Sequence, residues 1–307
     1  MPRFDVICLG YSAVDFIGVV PCVPELDTKL EMSDFMRQGG GPAATAAVAA
    51  ARLGARAAFA GNIGDDDFAD FMVDELAAER VDTSHVTRCT GARSQFAFIM
   101  VERGTGKRTI VWTRSSVPPM RLEALDREFV TSCRVLHLDR HEVDAGMVVA
   151  RWVREAGGVV SLDAGNYDPR TLELLPVVDY LIAPGWFARD STGETDPMAG
   201  ARALLGGRQA VVVTRGEDGC WVATQDDEFH APAFRVEAID TNGAGDVFCG
   251  AFACGLSQGW NVRRCAVFAS AAAALKCTRL GGRAGIPTRE EALALADARE
   301  GRRGGGP

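Results

Sequence analysis

Paired cysteines are absent from this sequence: its nine cysteines are scattered, odd in number, and never spaced as C-x-x-C. This pattern argues against a disulfide framework and a zinc cluster, and it is typical of a reducing cytoplasm. An excess of positive charge is absent too, since the formal net charge is -8 and the pI is near 5.2. We therefore expect no nucleic-acid partner and no basic membrane-binding face.

Long apolar runs are missing as well. The N-terminal stretch MPRFDVICLG has charged and polar breaks instead of the apolar core of a signal peptide. The alanine-rich run after Pro42 stops at Arg52 and is too short to span a bilayer. We expect a soluble cytoplasmic protein without a membrane segment, long enough for one large α/β domain or two ordinary ones.

Much of the sequence alternates between strand and helix patterns. Strands are predicted near residues 134–138, 158–163, 178–183 and 209–214, and helices near residues 144–156, 170–175 and 197–206. From Gly243 onwards the prediction is almost entirely helical. Regular alternation predicts parallel βαβ units with helices on both faces. The predicted fold class is α/β, with three α/β/α layers and a mostly parallel central sheet.

Several β-rich stretches do not fit this period. They lie around Phe16–Val20, Thr28–Phe35, Ser94–Glu102 and Lys107–Thr113, with a hairpin signal at residues 103–106. We interpret them as a small sheet that projects from the main one as a lid, formed by about residues 11–38 and 93–117. We expect one domain over residues 1–295 and a disordered, glycine- and arginine-rich tail over 296–307.

The motif with the clearest chemistry is DTNGAGD, from Asp240 to Asp246, which a helix-compatible run from Val247 to Leu256 follows at once. Small residues let backbone N–H groups approach an anion, and a helix N-terminus favours negative charge. A carboxylate in the first turn can accept the proton of an attacking hydroxyl. The motif predicts a kinase of a small hydroxylated molecule with Asp246 as base. An ordinary glycine-rich connection between a strand and a helix is the alternative.

Two other glycine-rich stretches could complete such a site. Thr214–Gly219 follows the predicted strand Ala210–Val213, where glycines allow contact with a nucleotide, although an ordinary turn has the same composition. Gly39–Ala44 could present backbone N–H groups to a sugar hydroxyl, or it could be a hinge of the lid. The latter stretch fits neither the G-x-G-x-x-G nor the Walker A pattern, which argues against Rossmann and P-loop folds.

His137, Asp139 and His141 could suggest a metal site. Alternation along the end of a strand explains them more simply, because no third histidine lies near in sequence. Trp112 and Trp186 are interpreted as packing residues of the core or the lid rather than as stacking platforms.

The segment Asp240–Phe252 resembles the signature of the ribokinase-like (PfkB) carbohydrate kinases. Gly39–Gly54 resembles the N-terminal signature of that family, and Gly61–Val86 resembles the block that follows it. The resemblance extends from about residue 4 to about residue 290. It implies a ribokinase-like fold, ATP and Mg²⁺ as cofactors, a small-molecule sugar as substrate, and a homodimer formed through the lid.

The resemblance also implies roles for individual residues. For phosphoryl transfer, these are Asp246 as catalytic base and Gly243, Ala244 and Gly245 as the anion hole. For the sugar, they are Asp15, Gly40 and Gly41, with Thr45 in place of the usual asparagine, which disfavours ribose. For ATP, they are Thr214, Gly216, Gly219 and Ser270. Asp240, with the segment Lys276–Gly285, resembles a loop for a monovalent cation, which implies K⁺.

Two features bear on magnesium and substrate. Ala183–Trp186 stands where many members carry Asn-x-x-Glu, so magnesium must be placed by water or by other carboxylates. Gly39–Ala55 and Lys276–Pro287 are most similar to kinases of 6-deoxy-6-sulfofructose, in which Lys29 and Arg140 would face the sulfonate. Trp112, however, replaces a polar contact to that group. Fructose, 2-keto-3-deoxygluconate and ribose are alternative substrates, and a nucleoside kinase and a non-catalytic sugar or nucleotide sensor are alternative functions.

Overall fold

The computed structural model describes residues 2–303, and within this range there are thirteen strands and ten helices. The strands are β1 (Phe4–Leu9), β2 (Ala13–Val20), β3 (Asp34–Gly40), β4 (Ala57–Ile63), β5 (Asp82–Arg88), β6 (Phe96–Glu102), β7 (Arg108–Thr113), β8 (Cys133–Leu138), β9 (Val159–Asp163), β10 (Tyr180–Pro184), β11 (Ala210–Thr214), β12 (Cys220–Thr224) and β13 (Glu228–Ala231). The helices are α1 (Pro42–Arg52), α2 (Asp67–Ala78), α3 (Arg127–Val130), α4 (Val143–Glu155), α5 (Thr171–Leu174), α6 (Gly185–Thr192), α7 (Pro197–Leu205), α8 (Ala244–Ser257), α9 (Val262–Lys276) and α10 (Arg289–Arg303).

The large sheet has the strand order β13-β12-β11-β10-β9-β8-β1-β4-β5. Neighbouring strands from β11 to β5 are parallel, whereas β12 and β13 at the other edge pair antiparallel. Parallel strands covered on both faces require apolar side chains on both. On β1, Val6 and Cys8 pack with α1, α8 and α9, whereas Ile7 and Leu9 pack with α4, α6 and α7. The three-layer α/β/α architecture and the mostly parallel sheet are therefore confirmed.

The small sheet has the order β3-β2-β6-β7 and is built from the two segments predicted to form the lid. Its central pair, β2 and β6, is parallel, and its outer pairs are antiparallel. Because side chains alternate along a strand, the sheet has two distinct faces. Ile17 and Ile99 are buried against Leu280 of the main body, whereas Phe98 on the opposite face is 54% exposed.

Two expectations about local structure are wrong. The β-rich stretch Thr28–Phe35 becomes a strand only from Asp34, because its partner β2 ends at Val20 and the segment before Ser33 has no strand left to pair with. The tail predicted to be disordered from residue 296 is helical as far as Arg303. Ala296 is buried against α9, so apolar contacts extend α10. The final residues 304–307 lie outside the described range.

Helix starts follow local chemistry. Helix α2 begins after Asp66, whose carboxylate accepts a hydrogen bond from the Ala69 N–H at 3.0 Å, as an N-cap does. Helix α1 begins with Pro42. Proline is tolerated in the first turn because an N–H group there would have no acceptor within the helix. Among residues 2–303, none of the helices combines the length and the apolar character needed to cross a membrane.

Candidate active site

The site predicted from the sequence forms where the parallel strands of the large sheet end. Asp139 follows β8, Asp163 ends β9 and Thr214 ends β11. The N-terminus of α8 lies at the same edge. It carries the end of the DTNGAGD motif, including Asp246. Ligands of open α/β sheets bind at this edge, since the helices that follow the strands begin there.

The glycine turn of the motif shapes the start of α8. Gly243 has φ 72° and caps the helix, a backbone conformation that favours glycine. A Cβ atom built on Gly243 would lie 3.0 Å from the Cα atom of Gly282, so the two backbones touch. A Cβ atom built on Gly245 would have no atom within 4 Å, so this residue faces open space. The turn therefore offers backbone N–H groups of a helix N-terminus to a ligand.

Asp246 lies half-buried in the first turn of α8. Burial raises its pKa to about 6, and the nearby carboxylates of Asp15 and Asp139 act in the same direction. The guanidinium groups of Arg108 and Arg283 oppose the rise. At neutral pH the carboxylate is therefore charged, yet its pKa lies close enough to neutrality for it to accept a proton efficiently.

Arg108 is a functional candidate that the sequence analysis missed. It begins β7 in the small sheet, and its guanidinium donates a hydrogen bond to Thr241 Oγ1 at 3.0 Å, inside the DTNGAGD motif. The Thr241 hydroxyl in turn donates to the Gly106 carbonyl at 3.2 Å. Among cationic groups, Arg108 has the largest lowering effect on the pKa of Asp246. The only sequence signal was its place beside a hairpin, which does not reveal what the hairpin contacts.

The residues predicted to hold a sugar come together around Arg283, which is 4% exposed. Its guanidinium donates to the Gly40 carbonyl at 2.9 Å and, more weakly, to Thr45 Oγ1 at 3.4 Å. The carboxylate of Asp15 lies so close to Gly40 that any side chain there would overlap it. Burial raises the pKa of Asp15 to about 7, although Arg283 and the Asn242 side chain oppose the rise. Arg283 was not predicted, because it follows Asp15 by more than 260 residues.

Asp139 organises the other side of this pocket. Its carboxylate accepts hydrogen bonds from the backbone N–H groups of Tyr11 at 2.7 Å, Ala43 at 3.3 Å and His141 at 2.8 Å. It thereby fixes the start of α1 next to Gly41, whose φ of 88° favours glycine. His137 is buried beside Ser161 Oγ at 2.9 Å. Within the part of the chain whose side chains are described, no group of three His, Cys, Asp or Glu residues could hold a metal.

An aromatic wall stands at the mouth of the pocket. Tyr11 stacks on His141 with ring centroids 4.6 Å apart, and Trp112 meets Tyr11 edge-on at 5.8 Å. Trp112 is 50% exposed and Trp186 is 51% exposed, so neither belongs to the core. Trp112 lies on β7 of the small sheet, and its ring also meets His141 edge-on at 5.8 Å.

The predicted nucleotide residues gather at the end of β11. Thr214 pairs with Cys220 across β11 and β12, and the Ser270 side chain from α9 lies beside the Cys220 thiol. Gly219 has φ 93°, and a side chain there would overlap the Ala231 carbonyl. Gly216 has φ 54° and faces open space. Thr214, Gly216 and Gly219 therefore lie where β11 ends and the chain turns into β12.

Arg140 and Lys29, the two predicted anion contacts, are placed differently. Arg140 follows β8 and lies against Gly165, where a Cβ atom would approach its Nε atom to 2.8 Å. Its charge opposes the rise of the Asp163 pKa. Lys29 lies on the exposed segment between β2 and β3, and among residues 2–299 no hydrogen bond or ion pair joins it to the other candidates.

Asp240 is fully buried, and its side chain is used within the loop. Its carboxylate accepts hydrogen bonds from the N–H groups of Asn242 at 2.7 Å and Gly281 at 2.8 Å. The ammonium group of Lys276 donates to the Asp240 backbone carbonyl at 2.7 Å. A lysine cation thus stands beside the residue predicted to contact a monovalent cation.

Comparison with known proteins decides the family. A model of the pfkB family carbohydrate kinases matches residues 3–289. The chain belongs to this family. It is 30% identical to probable fructokinase-2 of Arabidopsis thaliana, over 94% of this chain and 95% of that protein. It is 29% identical to ribokinase of Haemophilus influenzae, over 95% and 98%. The structure of ribokinase from Thermotoga maritima superposes with a TM-score of 0.84, at 27% identity, over 96% and 99%.

This pfkB carbohydrate kinase is thus a phosphotransferase that acts on an alcohol group of a sugar, as expected. The ribokinase-like fold is confirmed as well. The roles of individual residues remain predictions.

We predict that Arg108→Met moves the acidic limb of the pH–rate profile towards higher pH. Asp246 must be deprotonated to act as base, so kcat/KM should fall as the pH falls through about 6. Arg108 lowers this pKa, and its removal should raise it by about one unit. Steady-state kinetics over a pH series measures the shift. Arg103→Met, which changes an exposed arginine of the same hairpin, is the control, and an unmoved limb in Arg108→Met would contradict the assignment.

Proposed function

We propose that this kinase transfers the γ-phosphoryl group of ATP to a sugar hydroxyl, with Asp246 as general base. The observation that carries the proposal is the position of Asp246 at the open N-terminus of α8. Its carboxylate is within electrostatic reach of Asp15 and Arg283 on the sugar side and of Asp163 at the end of β9. A proton acceptor between a sugar pocket and an anion-binding turn is what in-line phosphoryl transfer requires.

The reaction balances with these groups. The Asp246 carboxylate accepts the proton of the sugar hydroxyl, whose oxygen forms the new bond to the γ-phosphorus. The bond from that phosphorus to the β–γ bridging oxygen breaks, and its electron pair leaves with ADP. Backbone N–H groups of Gly243, Ala244 and Gly245 stabilise the charge on the transferred oxygens. Closure of the small sheet over the pocket would exclude water as a competing acceptor.

The remaining predicted residues divide between the two substrates. Asp15 and the backbone of Gly40 and Gly41 hold sugar hydroxyls, with Thr45 behind them beside Arg283. The ATP side is lined by Thr214, Gly216, Gly219 and Ser270. We place this chemistry in the cytoplasm, because all nine cysteines are unpaired in the structure.

Magnesium fits this site as an ion carried mainly by phosphates and water. The structure has no Asn-x-x-Glu at the end of β10, but Asp163 ends the neighbouring strand β9. Burial, with the nearby Asp246 charge, raises the pKa of Asp163 to about 7. One of its oxygens accepts from the Gly165 N–H at 2.9 Å. Mg²⁺ often binds through one or two carboxylates while keeping several waters. Asp163 would hold the ion, which when bound neutralises the donor phosphates.

We predict that Asp246→Asn lowers kcat by at least ~10²-fold, because the amide cannot accept the proton. ATP should still bind, since the backbone of the turn is unchanged. An ADP-release assay measures turnover, and isothermal titration calorimetry measures ATP affinity. Asp226→Asn, in the exposed turn between β12 and β13, is the control. Near-normal turnover of Asp246→Asn would show that Asp246 is not the general base. A wild type that releases no ADP would favour the alternative function of a non-catalytic sensor.

For the acceptor, we propose a sugar with an anionic substituent, of which 6-deoxy-6-sulfofructose is the leading example. Arg140 supports this proposal, because it lies half-buried next to Asp163 and within residues 2–299 it forms no ion pair or hydrogen bond with a side chain. A buried charge without a fixed partner is costly unless a ligand supplies one. Lys29 would add a second cation from the exposed segment between β2 and β3 if that segment closes on the ligand.

We predict that Arg140→Gln raises KM for 6-deoxy-6-sulfofructose by about tenfold or more, the effect of a lost charge-assisted hydrogen bond. KM for neutral fructose should change little, because fructose has no group that needs the charge. Arg151→Gln, on the exposed face of α4, is the control. The same assay with 2-keto-3-deoxygluconate, ribose, adenosine, inosine and cytidine tests the alternatives. An equal loss on charged and neutral sugars, or a clear preference for a neutral acceptor, would overturn the anionic assignment.

We further propose a homodimer formed through the outer face of the small sheet. Phe16, Phe98 and Val111 lie in one row across β2, β6 and β7, and Phe35 stacks on Phe16 at 6.3 Å between ring centroids. Phe98, Val111 and Phe35 are each more than half exposed. An apolar patch of this kind on a projecting sheet is typical of a protein–protein contact.

We predict that Phe98→Asp converts the dimer to a monomer, because a charge would be buried at the centre of the contact. Analytical ultracentrifugation at micromolar concentration measures the mass. Leu122→Asp, an exposed apolar residue away from the small sheet, is the control. A wild type that sediments only as a monomer would contradict the proposal.

A further inference from the structure

Lys276 is an unusual cation in this chain. The sequence contains only three lysines, and this one ends α9 with its side chain fully buried. Burial is the main cause that lowers its pKa, and the charge of Asp240 opposes that effect. Taking an ammonium group out of water costs several kcal/mol unless the surroundings compensate. Almost every other positive charge in the chain is an arginine, yet this position has a compact ammonium group whose burial is energetically unfavourable.

The partner of this ammonium is mainly backbone. Lys276 Nζ donates to the Asp240 carbonyl at 2.7 Å, whereas the nearest carboxylate oxygen of Asp240 is 4.0 Å away. That carboxylate already accepts hydrogen bonds from the N–H groups of Asn242 and Gly281. A small point charge against a carbonyl oxygen is the arrangement that a free monovalent cation would adopt, and a planar guanidinium could not reproduce it.

The ammonium stands at the junction of the two segments that shape the anion-binding turn. The Ile239 N–H donates to the Cys277 carbonyl at 2.8 Å, next to Lys276 along the chain. Further on, the backbone of Gly282 touches Gly243, the residue that caps α8. Lys276 thus joins the end of α9 to the start of the DTNGAGD motif, whose residues 243–245 begin α8.

We propose that Lys276 is a positioning residue whose ammonium serves as a resident cation for the anion-binding turn, so that phosphoryl transfer needs no free monovalent cation. The proposal rests on the function proposed above. The fixed charge holds the Asp240 carbonyl and the turn in place, and it adds to the positive potential where the phosphoryl charge develops. A purely structural role would stabilise the fold without this link to small cations.

The test compares the wild type with Lys276→Ala and Lys276→Met in chloride salts of potassium, ammonium and choline. We expect the wild-type kcat to be the same in all three salts. Lys276→Ala should lose about 10²-fold in choline, the cost of a misplaced turn. Potassium or ammonium should restore much of this loss, because the shortened side chain leaves room for the ion. Lys276→Met should not be restored, because its side chain fills that room.

Two further measurements separate the outcomes. Thermal melting in each salt reports the structural contribution, and Lys107→Ala, an exposed lysine of the β6–β7 hairpin, is the matched control. Activation of the wild type by potassium would overturn the proposal, as would a folded Lys276→Ala that keeps its rate or loses it without cation rescue. If the alanine variant does not fold, the wild-type salt comparison decides alone. A wild type that is inactive in every salt and on every acceptor would refute the proposed function itself. The ADP-release assay of the wild type and Asp246→Asn tests that function independently of Lys276.

Discussion

The hydrogen bond from Arg108 to Thr241 joins the small sheet to the DTNGAGD turn, on which the proposed phosphoryl transfer depends. Its geometry follows from the alternation of side chains in a strand. The cross-strand partners Asp15, Ala97 and Trp112 share one face of the small sheet, and Arg108 and Ile17 lie on that same face. One face therefore carries the predicted sugar contact Asp15, the aromatic residue Trp112 and the cation that contacts the DTNGAGD turn, while the opposite face carries exposed phenylalanines. A shift in register by one residue would exchange these roles.

The second constraint is a concentration of negative charge. Four carboxylates, on Asp15, Asp139, Asp163 and Asp246, meet at the edge of the large sheet, and the pKa values of Asp15, Asp163 and Asp246 are all raised, mainly by burial. The Asp139 carboxylate accepts hydrogen bonds from three backbone N–H groups, and these bonds fix the start of α1. Asp163 accepts a hydrogen bond from one backbone N–H group, and Asp15 accepts one from the Asn242 side chain, so both have fewer partners than Asp139. Repulsion among these carboxylates favours the arrival of cations or protons, and in the proposed mechanism a substrate hydroxyl provides the proton that Asp246 accepts.

The fold was largely predictable because its signals are local. Alternating strand and helix patterns predicted the parallel sheet, and the motif at 240–246 predicted the start of α8. The errors arose where pairing partners decided the outcome. Residues 28–33 have β-prone composition, but β2 ends at Val20 and offers them no partner. Helix-breaking glycines follow Ala296 in the sequence, yet the contacts of Ala296 with α9 maintain helix α10.

The site was predictable only in part, for a similar reason. Asp246, the glycines and Asp15 lie in motifs whose chemistry is visible in a short window. Arg108 lies in a hairpin without such a motif, and Arg283 lies in the segment 276–285, whose resemblance to a cation loop does not single it out. Both reach the site because the hairpin and this loop fold back over it. Their contacts, to Thr241 and to the Gly40 carbonyl, join segments more than 130 residues apart. No local pattern encodes such contacts, so only the folded chain reveals them.

Arg283, Lys276 and Arg140 differ in what holds their charged groups, and this difference supports the separate roles proposed for them. Arg283 is buried with its hydrogen bonds directed to Gly40 and Thr45, so it shapes the pocket. Lys276 is buried against a backbone carbonyl, so the role proposed for its charge is to hold the turn. Arg140 has neither a carboxylate nor a carbonyl fixed to its guanidinium within the described side chains. The proposal of an anionic acceptor rests on this difference, because among these three cations Arg140 is the one that no described side chain pairs.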